Sequence, residues 1–178
     1  MTRIFTIIFL AILPYKAFAL IEVDITRGNL NPLPIAVSPL SIDENSRKNF
    51  EKILNKKNVG EEISTIVEKN LKTSGLFNPL DKDAFLQAPE IANLKPRFED
   101  WNLIKAQALI TGKVNLVDEK LRVEFRLWDV LAGKEMMALA FTTVPNNWRR
   151  VGHIITDKVY ERLTGEKGYF DTRIIYVA

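Results

Sequence analysis

Ala108-Leu109-Ile110-Thr111-Gly112-Lys113-Val114-Asn115-Leu116-Val117, Leu121-Arg122-Val123-Glu124-Phe125-Arg126-Leu127-Trp128-Asp129 and Glu135-Met136-Met137-Ala138-Leu139-Ala140-Phe141-Thr142-Thr143-Val144 are three strand-like runs separated by only a few residues. Val117-Asp118-Glu119-Lys120 and Leu131-Ala132-Gly133-Lys134 read as the turns between them. Connections this short make consecutive strands antiparallel hairpin partners. Helical patterns lie on both sides of this block, so the chain is expected to form an α+β domain. Its sheet should be mixed, with two main helices and a shorter one.

Upstream, Val59, Ile63, Ile66, Val67 and Leu71 fall on one face at helical spacing. Asn58 followed by Glu61 resembles a capping box, and Ser74-Gly75 supplies the stop. Phe77-Asn78-Pro79 reads as a turn, and a short helix is expected after Pro96 around Phe98, Trp101, Leu103 and Ile104. Downstream, Trp148, Val151, Gly152, Ile155, Val159 and Leu163 define the apolar face of a final helix capped by Asn147 and closed by Thr164-Gly165. Thr172–Val177 reads as a last strand. It either pairs into this domain's own sheet or opens a further domain, because an apolar edge needs cover.

Nearer the start, Ile21, Val23 and Ile25 alternate with Glu22, Asp24 and Thr26, a period-two strand signal stopped by Arg27-Gly28-Asn29. Residues 34–40 read as a second strand with prolines confined to its ends. Residues 41–57 are polar and mixed in charge, which suits a solvated loop or short helix.

The first nineteen residues are an export leader by pattern. Arg3 is followed by ten apolar residues, Ile4 to Leu13, and then by Ala17-Phe18-Ala19. Ala17 and Ala19 are the small residues a signal peptidase reads. Ten helical residues span about 15 Å, half of a roughly 30 Å hydrocarbon core, so a membrane anchor fits poorly. The mature chain is expected to begin at Leu20, without stable membrane insertion.

Composition narrows the chemistry. The 178 residues are 47% apolar and 26% charged, a globular balance, and contain no cysteine and one histidine. Disulfides, thiol catalysis and thiolate metal sites are thereby excluded. The chain holds 25 basic and 22 acidic side chains; two of the basic ones, Arg3 and Lys16, fall in the leader, which has no acid. The mature charge of +1 gives no electrostatic reason to bind nucleic acid. His153 with Asp157 four residues later could orient an imidazole, yet no nucleophile motif accompanies them, and a surface i,i+4 pair is the plainer reading. Trp101, Trp128 and Trp148 sit in apolar patterns that suit core packing, and Glu61-Glu62 and Glu99-Asp100 suit helix starts. No catalytic residue, metal ligand or cofactor site is expected. A periplasmic ligand-binding or hydrolase domain using His153 and Asp157 is the alternative.

Three stretches carry a family resemblance. Ile21-Glu22-Val23-Asp24-Ile25-Thr26-Arg27-Gly28 running into Pro34-Ile35-Ala36-Val37, Ser74-Gly75-Leu76-Phe77-Asn78-Pro79-Leu80, and Trp148 through Gly165 together resemble the TolB amino-terminal domain family. Thr164 through Val177 is similar to that family's junction with a β-propeller. The resemblance implies an α/β shape like the anticodon-binding domains of class II tRNA synthetases. It also implies a periplasmic role in the Tol-Pal system, supporting outer-membrane integrity and constriction at division. The segment Leu20, Ile21, Glu22, Val23, Asp24, Ile25, Thr26, Arg27 and Gly28 would bind the carboxy-terminal domain of TolA, switching between free and docked states. Pal would be bound only if another chain supplied a propeller. The resulting division is 1–19 leader, 20–33 partner-binding strand and linker, 34–168 body, and 169–178 the start of a propeller.

Overall fold

The computed structural model describes residues 31–172. The leader with Ala17 and Ala19, the segment Leu20–Gly28, and residues 173–178 of the expected last strand lie outside the described residues.

The strands are β1 (Leu33–Val37), β2 (Ser41–Ile42), β3 (Phe77–Pro79), β4 (Ala108–Val117), β5 (Lys120–Asp129) and β6 (Lys134–Thr143). The helices are α1 (Glu44–Leu54), α2 (Val59–Thr73), α3 (Pro89–Leu94), α4 (Phe98–Leu103) and α5 (Trp148–Thr164). The sheet runs β3-β1-β4-β5-β6, with β2 also paired to β4. β1 is parallel to β3 and to β4, whereas β4-β5 and β5-β6 are antiparallel hairpins. The mixed sheet of an α+β domain is therefore present.

The strand expected over 34–40 is interrupted. Ile35–Val37 pair with Ala108–Ile110, and the chain rejoins β4 only at Ser41–Ile42, opposite Lys113–Val114. Pro39 cannot donate to a ladder. At the break, Leu40 N–H donates to Ser64 Oγ at 3.0 Å, and Ser64 Oγ lies 3.1 Å from the Ser38 carbonyl. Helix α2 comes this close because Gly60 faces the break: a Cβ there would lie 2.2 Å from the Leu40 carbonyl oxygen.

Alternation in β4 and β5 gives the sheet two covered faces. Ile110, Val114, Leu121, Val123, Phe125 and Leu127 join the larger core with Phe50, Ile63, Val67, Leu71, Val151, Ile155, Val159 and Leu163 from α1, α2 and α5. Each such side chain contributes about 1.5–3 kcal/mol on burial. Helices α2 and α5 approach closely at Gly152, where a Cβ would meet Ile66 Cγ2 at 2.9 Å. The opposite face carries a smaller core of Ala36, Leu109, Val130, Ala92, Ala106 and Trp101. Trp101 Nε1 and Arg97 N–H both donate to Gln87 Oε1 at 3.0 Å, which fixes α4 to the loop before α3.

Several expectations are corrected. There are three long helices and two short ones among the described residues, not two and one, because residues 44–54 form α1 and Pro89 at a first helical position starts α3. Phe77–Pro79 is a short parallel strand against β1, not a turn. Asn58 makes no cap bond to the backbone; its Nδ2 faces Glu61 Oε2 at 3.5 Å. Asn147 likewise does not cap α5, its Nδ2 donating instead to Thr143 Oγ1 at 2.9 Å. Trp101 and Trp148 are buried, and Trp128 is half-buried with its Nε1–H on Thr111 Oγ1, which agrees with core packing. Glu61, Glu62, Glu99 and Asp100 occupy the first turns of α2 and α4 as expected.

Candidate interaction site

The residues of the rival site do not meet. The half-buried His153 ring places Nδ1 2.9 Å from Asn70 Nδ2, and Asn70 also donates to Thr156 Oγ1 at 3.2 Å. Asp157 is engaged elsewhere: its Oδ1 accepts Phe170 N–H at 2.7 Å and its Oδ2 accepts Asp171 N–H at 3.1 Å. The expected His153–Asp157 pair is thus replaced by two separate structural roles. The Asn70 amide, and not a carboxylate, is the side chain that meets the imidazole. Among the described residues no cluster of three or more His, Cys, Asp or Glu could hold a metal, and no helix is long and apolar enough to cross a membrane.

Asp157 anchors a strap formed by the residues after α5. Gly165, at φ 76°, reverses the chain in the left-handed region, where glycine carries no Cβ penalty. The strap then runs back along the helix. Tyr169 and Phe170 stack with ring centroids 4.5 Å apart, and both meet Tyr160 edge-on at 5.6 and 5.8 Å. Burial pushes the Tyr160 hydroxyl above its ordinary pKa, with nearby Tyr169 and Glu166 adding to the effect. Arg150 holds Asp171 through one guanidinium edge, Nε and Nη2, at 3.0–3.1 Å. That bond, with the carboxylate charge, raises the Arg150 pKa further.

The second feature is the outer edge of β6. Among the described residues β6 is the last strand of the sheet and pairs only with β5, while its Met136 carbonyl accepts Arg162 Nε at 3.3 Å. Between Glu135 and Arg149 the sequence carries no charge. A groove of about 340 Å³ lies beside this edge, lined by Ala140, Phe141, Thr142, Thr143, Asn147, Arg150, Val151 and Ile154. Sequence reading assigned β6 as a strand but gave no sign that it would be the outermost one. Strand order depends on long-range pairing.

Mixed sheet, helices on both of its faces and the strap define a small α+β domain. The TolB amino-terminal domain family matches residues 21–136, and the chain belongs to that family. It is 83% identical over 167 residues to the Tol-Pal system protein TolB of Pelagibacter ubique (strain HTCC1062), covering 94% of this chain and 37% of that protein. The chain therefore spans well under half the length of this relative. The crystal structure of TolB from Acinetobacter baumannii shares the fold, with a TM-score of 0.62, 22% identity and coverage of 79% of this chain and 30% of that one.

Proposed function

We propose that this chain is a non-enzymatic periplasmic adaptor of the Tol-Pal system that binds the carboxy-terminal domain of TolA through Leu20–Gly28. The observation that carries this reading is the 83% identity to a Tol-Pal system protein over 94% of the chain. Residues 1–19 act as the export leader cut after Ala19, 20–33 as the binding strand and linker, 34–168 as the body, and 169–178 as the junction to a propeller. Contact with Pal depends on that propeller.

The described fold supports such a division of labour. β1 already has β3 on one side and β4 on the other. Among the described residues both edges of β1 are thus occupied within the body itself. An upstream segment with alternating Ile21, Val23 and Ile25 can then add to another protein's sheet, main-chain bonds giving affinity and alternate side chains giving specificity.

The test is retention of purified TolA carboxy-terminal domain by the chain beginning at Leu20 and by one lacking Leu20–Gly28. Retention by the first alone is expected. Equal retention by both would overturn the assignment.

A further inference from the structure

We propose that the strap is a latch: residues 166–172 leave α5 as one unit, turning about Gly165, while the body stays folded, and Asp157 is the catch that holds them. The device is independent of the partner assigned to Leu20–Gly28.

The catch is one carboxylate. Its two oxygens accept the N–H groups of consecutive residues, Phe170 at 2.7 Å and Asp171 at 3.1 Å. Gly168 rests on the same residue, so close that a Cβ there would lie 2.4 Å from the Asp157 Cα. Three strap positions thus depend on a single side chain, and losing it frees them together. Bonds to an ionised acceptor are roughly twice as strong as neutral ones, which makes Asp157 the point where the strap is held or lost. Nearer the hinge, Thr164 Oγ1 accepts Glu166 N–H at 3.1 Å. Gly165, already at φ 76°, and Gly168 flank Glu166 and Lys167, so the backbone can turn there without a Cβ penalty.

Catch and core lie on different sides of α5. Val151, Ile155, Val159 and Leu163 are buried in the larger core. Asp157, two residues from both Ile155 and Val159, lies about 160° round the helix from each. It is half-buried, and Tyr169 is 53% exposed. Phe170, half-buried against the edge of the core, comes away with the strap. Release therefore leaves the buried face of α5 packed, and segments held by such exposed contacts open well below the free energy of global unfolding. The consequence is positional. Asp157 sits about 12 Å back along the helix from Gly165, so the closed strap makes the chain leave the body beside the middle of α5. Released, the chain leaves from the helix end on a seven-residue tether with a root-mean-square span of about 15 Å. The latch gives whatever follows residue 172 two positions, and a contact that favours the extended exit shifts the population towards it.

The chain has no cysteine, so spin labels at Lys52→Cys on α1 and Thr172→Cys report the exit in the chain beginning at Leu20. Just after α1, Lys56 lies over the Trp148 ring at 5.1 Å, which puts that label near the amino-terminal end of α5, and opening carries residue 172 away from it. Double electron–electron resonance on the labelled parent is expected to give one narrow distance. Asp157→Ala should give a broad population about 10 Å longer or more, and Asp157→Asn, which keeps one acceptor oxygen, a mixture of the two. Hydrogen exchange at the Phe170 and Asp171 amides should accelerate roughly tenfold or more in Asp157→Ala, with the amides of β4 and β5 unchanged. A distance that Asp157→Ala leaves in place would overturn the proposal, since the strap would be held without its catch. Loss of protection in β4 and β5 in step with Phe170 would overturn it as well, because strap and body would then open together.

Discussion

Gly168 rests directly on Asp157: a Cβ at Gly168 would lie 2.4 Å from the Asp157 Cα and 2.6 Å from its Cβ. Contact this close lets the Asp157 carboxylate reach the N–H groups of both Phe170 and Asp171. Gly168→Ala must lift the strap, at a cost of about 1–3 kcal/mol for overpacking. Amide exchange at Phe170 should accelerate at least tenfold while the amides of β4 and β5 stay protected. Unchanged exchange at Phe170 would show that the strap is held by other means.

Asp43 links α1 to the sheet and makes stability depend on pH. Its Oδ1 accepts Ser46 N–H at 2.8 Å, its Oδ2 accepts the Ser46 hydroxyl at 2.7 Å, and Ser46 Oγ in turn accepts Leu116 N–H at 2.9 Å. The Ser46 amide holds the carboxyl below its ordinary 3.8. A depressed carboxyl adds stability above the unfolded-state pKa and loses it as pH falls through the folded one. Asp43→Ala should cost about 1 kcal/mol at neutral pH, as for other amino-terminal caps. In urea melts that gap should narrow only below about pH 3.8. A gap that stays constant to pH 2 would contradict the role.

Ser64 closes the backbone account at the Pro39 break. Ser64→Ala would leave the buried Leu40 N–H without its partner, a loss of about 1–3 kcal/mol. Denaturant melts should show this as a lower midpoint with an unchanged slope. A neutral substitution would mean that water satisfies Leu40.

The β4-β5 turn is conformationally costly. Asp118 and Glu119 have φ of 48° and 59°, as a two-residue turn of primed type requires. Glu119→Gly should stabilise the chain by about 0.5 kcal/mol, since glycine reaches this region without strain. Thermal melts would read the gain, and a lower melting temperature would contradict it.

What could be read from the sequence follows from how local each signal is. The three hairpin strands and the α5 face were legible because side-chain alternation and helical spacing are written in adjacent residues. Helix α1 was only half legible: it buries only Phe50 and Ser46 fully, with Leu54 packed at its end, so its pattern resembles a polar loop. The Asp43-x-x-Ser46 cap was the available cue. β3 was missed because Asn78 and Pro79 favour turns, and only long-range pairing with β1 makes three residues a strand. The His153–Asp157 spacing suggested a pair; a strap thirteen residues beyond Asp157 decides its partner instead. The β6 groove was illegible because it needs both the strand order and the angle of α5.

Lending of Leu20–Gly28 to TolA is tested most directly by hydrogen exchange on the chain beginning at Leu20, with and without the TolA carboxy-terminal domain. Strand addition predicts new protection at alternate amides between Ile21 and Thr26, with β1 to β5 unchanged. Protection that maps only onto the body, with none between Leu20 and Gly28, would contradict the account.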